Sequence, residues 1–243
     1  MNSKIFKKLL KYDFLVFFRE PFFALPILVL PGILFYIFMT IFGVDENIAE
    51  FIPAYSLLIS VLVLFFNIGL QFVNEKERGV HKRLLLSPIT KVHLIAAYLV
   101  RGVAVSLLGL IEIFLIANLA FGMSLTNSLP LFLVVYLLII GILLLISLSL
   151  HDFFNNTKQT VLFTVIIFQY ALFSLGFMIP IDQAPTVVRW LIHANPIYHM
   201  NHILTNIWLS SLENVTAINV VYLIGVIVVC SAIVKFHSSR REL

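Results

Sequence analysis

Long uninterrupted apolar runs constrain this chain more than any other feature of its sequence. Six of them recur along the 243 residues, and each is close to the length of about 20 residues that a helix needs to cross a bilayer core. Charged residues make up only 12% of the chain, about half the share found in a soluble domain. Backbone groups inside lipid must be hydrogen-bonded within their own segment, so these runs are expected to be helices.

The sequence therefore predicts an all-α membrane protein with six transmembrane helices in a single domain over residues 1–243. No alternating ten-residue pattern typical of a β-barrel is present. Pro26 and Pro31 predict a bent or irregular first helix. The predicted spans cover residues 22–43, 51–73, 92–119, 130–150, 160–179 and 217–236.

The distribution of Lys and Arg predicts the orientation. Of the 16 such residues, 14 fall on one side of the predicted topology, Arg189 falls on the other, and Arg101 lies inside the third span. Because cytoplasmic loops are enriched in Lys and Arg, we expect both termini and the loop after the second span to be cytoplasmic.

Residues 1–21 have the pattern of an amphipathic helix lying at the membrane interface. Basic and apolar residues fall on separate faces, which suits a helix in the headgroup layer. A purely topological role for the basic residues is equally compatible, and either role permits a part in docking a partner. The basic face carries Lys4, Lys7, Lys8 and Lys11, and the other face carries Ile5, Leu9, Tyr12 and Val16.

The loop at residues 74–91, called the coupling segment below, is charged yet contains three consecutive leucines, Leu84, Leu85 and Leu86. A connecting loop has no need of exposed leucines, whereas a short helix pressed onto another protein does. Packing of the leucines against the membrane interface is the alternative.

The order of these features resembles that of the permease subunit of type-2 ABC exporters. A basic amphipathic N-terminus and Arg-Glu-Pro precede span one, Glu-Lys-Glu-Arg-Gly and Leu-Leu-Leu-Ser-Pro follow span two, and Asn-Pro-Ile-Tyr at 195–198 precedes the last span. Val80 departs from the family pattern, in which a small hydroxyl residue is commoner. The loop positions that match the family pattern are Glu75, Glu77, Gly79, Leu84, Leu86, Ser87 and Pro88, and Leu85 lies between two of them.

The resemblance implies that these positions form a coupling helix that docks on a separate ATP-binding subunit. It also implies a second permease, in a homodimer or heterodimer, and a re-entrant helical hairpin at residues 180–216. ATP and Mg²⁺ would bind to the partner, so no cofactor is expected in this chain. The resemblance also implies a multi-pass protein of the bacterial plasma membrane. Membrane lipid is an expected partner, and nucleic acid is not.

The residues themselves agree with a complex in which a second chain binds ATP. No Gly-x-x-x-x-Gly-Lys-Ser/Thr sequence occurs, so this chain has no P-loop for ATP phosphates. Its Ser, His and Asp residues form no recognisable catalytic order, and no catalytic residue is predicted. We therefore do not expect the chain to be an enzyme by itself.

Polar residues within the spans are candidates for a transport pathway. Asn67 and Gln71 form a stripe with Asn74 on one helical face, where hydrogen bonding between helices is the alternative. Arg101 and Glu112, eleven residues apart, also share a face, and charges inside membranes usually mark function. Arg101 could instead extend to the cytoplasmic surface.

Three histidines in the outer loop, His193, His199 and His202, raise a metal hypothesis. No carboxylate or Cys accompanies them at ligand spacing, so interfacial packing is favoured and no metal site is predicted.

Three functions remain open at this point. The favoured one is an ATP-driven exporter permease for amphipathic or lipophilic cargo, such as a drug, lipid or peptide. A secondary transporter would use Glu112 as its titrating site. A membrane anchor or sensor would recruit a partner through the coupling segment and transport nothing.

Overall fold

The computed structural model describes residues 3–19, 21–42, 48–80, 83, 89–123, 126–177 and 181–240. Within these ranges the regular elements are helices, and no strand occurs. They are α1 (Ser3–Arg19), α2 (Pro21–Phe42), α3 (Ile48–Val61), a π-helical segment (Leu62–Gly69), α4 (Leu70–Glu77), α5 (Lys91–Phe121), α6 (Leu129–His151), α7 (Thr157–Ser174), α8 (Thr186–His193), α9 (Pro196–Trp208) and α10 (Ala217–Arg240), with 3-10 turns at Ile181–Gln183 and Leu212–Asn214.

Four of the predicted membrane spans correspond to helices that are long and apolar enough to cross a membrane. They are Phe51–Glu77, Val92–Phe121, Leu129–His151 and Ala217–Phe236. The first predicted span corresponds to α2, which continues through Pro26 and Pro31 and has a shorter described apolar stretch, Leu25–Ile41. The fifth corresponds to α7. The six-span layout therefore stays a prediction at these two helices.

Several helix ends differ from the predicted boundaries, among them the ends of the second and fifth spans. The second span was predicted to end at Val73, but α4 continues to Glu77, because its polar side chains find partners inside the protein. The fifth span was predicted to reach Ile179, but α7 ends at Ser174 in a turn.

The second span is the centre of the bundle. Phe51–Glu77 has 72% of its most apolar window buried within the protein, whereas Ala217–Phe236 has 17% and lies at the periphery. The α3 helix, the π-helical segment and α4 form this central rod, and α5 and α6 pack along it.

Side chains of α6 bind backbone carbonyls along the central rod. Ser147 Oγ donates to the carbonyl of Leu64 at 2.6 Å, and Tyr136 Oη donates to that of Ser56 at 3.0 Å. The ring of His151 lies against Gly69, where an added Cβ would be 2.5 Å from the ring carbon Cε1. A π-helix has wider turns than an α-helix and is less regular. The contacts from α6 therefore help to stabilise the π-helical segment.

The loop at residues 181–216 contains the short helices α8 and α9, and polar contacts join it to the spans. Asn195 caps α9 by accepting from the amide of Ile197 at 3.0 Å, and its Nδ2 donates to Ser174 Oγ on α7 at 2.6 Å. His199 and His202 each contact the side-chain amide of Asn219 on α10, at 2.7 and 2.9 Å. Among the described residues, no group of His, Cys, Asp and Glu is arranged to hold a metal ion.

Candidate functional site

A fully buried arginine lies near one end of the bundle. Arg101 on α5 has no exposed surface, and its Nη1 lies 2.9 Å from Asp13 Oδ1 on α1. The same nitrogen donates to Gln71 Oε1 on α4 at 2.7 Å. Arg101 therefore points into the protein and does not extend to the surface, and it joins three helices.

Glu75 extends this network by one turn of α4. Its Oε1 accepts from Gln71 Nε2 at 2.6 Å, and its Oε2 accepts from Tyr98 Oη at 2.6 Å. The Tyr98 ring also faces the Arg101 guanidinium, with 5.7 Å between the guanidinium carbon and the ring centroid. Asp13, Gln71, Glu75, Tyr98 and Arg101 are called the polar cluster below.

Helix periodicity explains why these residues converge. Gln71 and Glu75 are four apart on α4, and Tyr98 and Arg101 are three apart on α5, so each pair shares one helical face. Asp13 comes from α1, where it is buried together with Phe17, four residues on. The buried face of α1 therefore runs through Asp13 and Phe17, whereas Tyr12 of the predicted apolar face is exposed.

The polar cluster contains two carboxylates and one guanidinium. Burial raises the pKa of Asp13 above its ordinary value, while the charge of Arg101 and the hydrogen bond from Gln71 act against that rise. Because an arginine stays protonated in proteins, it needs a carboxylate beside it when it is removed from water. The cluster is a charged junction between α1, α4 and α5.

The remaining predicted pathway residues lie apart from this junction. Asn67 is in the π-helical segment, and its buried Oδ1 has no hydrogen-bond partner among the described residues. Glu112 lies on α5 with its carboxylate against Gly32 of α2, where an added Cβ would be 2.1 Å from Oε1. The structure therefore does not bring Arg101 and Glu112 into one site.

The described part of the coupling segment begins inside the fold. Glu75 lies in the polar cluster, and Glu77 Oε2 accepts from the backbone amide of Thr157 at 2.9 Å and from its hydroxyl. Gly79 follows with a φ of 69°, a backbone angle that residues with an L side chain rarely adopt. Glycine suits this position in the turn that follows α4. Leu84, Leu85, Leu86, Ser87 and Pro88 lie outside the described residues.

A cleft of ≈ 350 Å³ separates α1 from the start of α5, beside the polar cluster. Both described ends of the coupling segment reach it. Its lining is mostly apolar and includes Lys8, Tyr12, Asp13, Glu75, Val80 and Ile89. The N-terminal helix and the coupling segment are therefore neighbours in space.

Sequence patterns alone did not identify Asp13 or Tyr98 as part of this region. The available signal for Asp13 was its isolation as the single acidic residue within a helix that carries several lysines. Tyr98 could have been placed from its three-residue spacing to Arg101.

The fold and this junction define a multi-span helical membrane protein with charged contacts concentrated at one end. The chain belongs to the ABC-2 type transporter family, whose model matches residues 5–209, nearly the whole chain. No curated protein matches it. The protein is thus a membrane permease component of an ABC transporter, a role that is typically non-catalytic.

Proposed function

We propose that this chain is the permease subunit of an ATP-driven exporter and that its coupling segment docks on a separate ATP-binding subunit. One observation carries the proposal. The central rod runs from the middle of the bundle directly into the coupling segment, and Glu75 at its end is bonded to α5 through Tyr98. A force applied to this segment therefore has a continuous path to the second and third spans.

The ATP-binding subunit would supply the chemistry. ATP and Mg²⁺ would bind there, and nucleotide binding would bring two such subunits together beneath a pair of permeases. The second permease, identical or different, would complete the pathway, since few helices are available in one chain to enclose it. The basic N-terminal helix, adjacent to the coupling segment, would enlarge the docking surface.

The orientation follows from the charge asymmetry of the sequence. Both termini and the coupling segment would be cytoplasmic in a bacterial plasma membrane, and cargo would leave past the outer loop at 180–216. The 23 phenylalanines, spread along the chain, suit amphipathic or lipophilic cargo.

The test is reconstitution in lipid with the candidate ATP-binding subunit encoded beside this chain. We expect the two chains to co-purify and cargo efflux to require ATP. Leu85→Asp should release the ATPase or uncouple it, because a charge would enter an apolar contact. Leu212→Asp is the matched control, since Leu212 is 53% exposed in the outer 3-10 turn. Equal ATPase binding and efflux in both variants would refute docking through the coupling segment.

The same vesicles separate the exporter from a secondary transporter. If flux runs on a proton or sodium gradient without ATP, and Glu112→Gln abolishes it, the secondary transporter replaces the exporter. If no flux occurs under either driving force while a partner still binds, the anchor hypothesis is supported.

A further inference from the structure

Two neighbouring residues at the end of α4 bind the turn between α6 and α7. Lys76 Nζ donates to the carbonyls of Asp152 at 2.6 Å and Phe154 at 2.7 Å, with Asp152 Oδ1 at 3.5 Å. Glu77 accepts from both the amide and the hydroxyl of Thr157. Residues 152–157 are called the α6–α7 turn below.

The signs of these two charges match the helix ends that they contact. The α6 helix ends at His151, where unpaired carbonyls make the end partly negative, and the ammonium group of Lys76 lies beside it. The α7 helix begins at Thr157, where unpaired amides make the end partly positive, and the Glu77 carboxylate lies beside it.

Glu77 also completes the cap of α7. Asn156 Oδ1 accepts from the amides of Lys158 at 2.9 Å and Gln159 at 3.4 Å, which leaves the amide of Thr157 for Glu77. Both helices that meet at the α6–α7 turn therefore depend on α4 for part of their end capping.

The position of Glu77 is unfavourable for its own helix. An acidic residue in the last turn of a helix interacts poorly with the carbonyl end of that helix. The contact of Glu77 with Thr157 compensates for this unfavourable interaction. Glu77 therefore serves to link α4 to α7 and does not favour the helix within α4.

We infer that Lys76 and Glu77 clamp the α6–α7 turn to the coupling segment, so that the two move as one body. Its mechanical role rests on the proposed function. The clamp would carry the motion of the docked ATPase to α6 and α7 as well as to the central rod. Lys76 and Glu77 are positioning residues, acting through the helices that they hold.

Spin labels can test the clamp without any transport assay. Arg78→Cys and Asn155→Cys, both at exposed positions, place one label on each side in a Cys230→Ala background. We expect a narrow distance distribution that broadens in Lys76→Ala/Glu77→Ala. Lys76→Arg, which keeps the donors, should preserve it, and Gln159→Ala on the first turn of α7 is the control. An unchanged distribution in the double variant would overturn the clamp.

Coupling in reconstituted vesicles tests its mechanical role. With Lys76→Ala, which leaves the predicted docking residue Glu77 in place, cargo moved per ATP hydrolysed should fall about fivefold, the lower end of typical coupling between sites, while ATPase binding persists. Unchanged coupling would overturn that role. A wild-type complex with no ATP-dependent flux would instead refute the proposed function, and the spin-label result would still decide whether the clamp exists.

Discussion

At the scale of single residues, Arg101 shows how a charge is accommodated in an apolar protein. It is fully buried, and the Asp13 carboxylate and the Gln71 amide oxygen lie within 3 Å of its Nη1. Removing one partner of such a pair leaves the other charge buried and uncompensated, which costs more than losing both.

Arg101→Met should therefore lower the free energy of unfolding by about 3–5 kcal/mol. Asp13→Asn added to Arg101→Met should recover part of that loss, because the carboxylate no longer needs a counter-charge. Thermal unfolding in detergent measures both. Lys158→Met at an exposed position is the control. No recovery in the double variant would contradict the pairing.

Single residues also show what sequence patterns can and cannot provide. Arg101 and Gln71 were found because polar residues are conspicuous inside apolar runs. Asp13 was missed because it lies in a charged helix, where one more charge is unremarkable, and its pairing depends on a contact across 88 positions of the chain. A long-range contact of this kind is not encoded in local spacing.

At the scale of elements, the central rod depends on α6 for its packing. The His151 ring occupies the space above Gly69, and its Nδ1 donates to the Ser147 carbonyl at 2.7 Å. Any side chain at position 69 would have to displace that ring.

Gly69→Ala should destabilise the protein by about 1–3 kcal/mol through overpacking. When Gly69→Ala is combined with His151→Ala, the clash is absent. The destabilisations caused by the two single substitutions should therefore not add. Gly141→Ala is the control, because an added Cβ there meets nothing within 4 Å. Thermal unfolding of the wild type, of Gly69→Ala and His151→Ala singly, and of the double variant gives the comparison, and strict additivity would contradict the contact.

Continuous apolar runs predicted the existence of the spanning helices better than they predicted the helix ends. Lipid-length runs give helices because the backbone has no alternative in a bilayer. The α4 helix extends past its predicted end because Lys76 and Glu77 bind a turn that is 76 or more residues away in sequence. The π-helical segment also gave no signal, since its residues are as apolar as those of its neighbours.

At the scale of the whole molecule, the charge asymmetry makes a prediction about topology. In a Cys230→Ala background, a thiol reagent that cannot cross the membrane should label Ser211→Cys in intact cells. Asn155→Cys should react only after the membrane is opened. Both positions lie outside the buried core, so access to the reagent depends on the side of the membrane. Labelling of Asn155→Cys in intact cells would contradict the predicted orientation.

The polar cluster also sets an order for biosynthesis. Its members lie at positions 13, 71, 75, 98 and 101, so its single guanidinium is the last to leave the ribosome. Until the third span has been made, the carboxylates of Asp13 and Glu75 lack the buried guanidinium of Arg101. The first two spans can thus be inserted early, but their junction with the N-terminal helix closes only when residue 101 has been delivered.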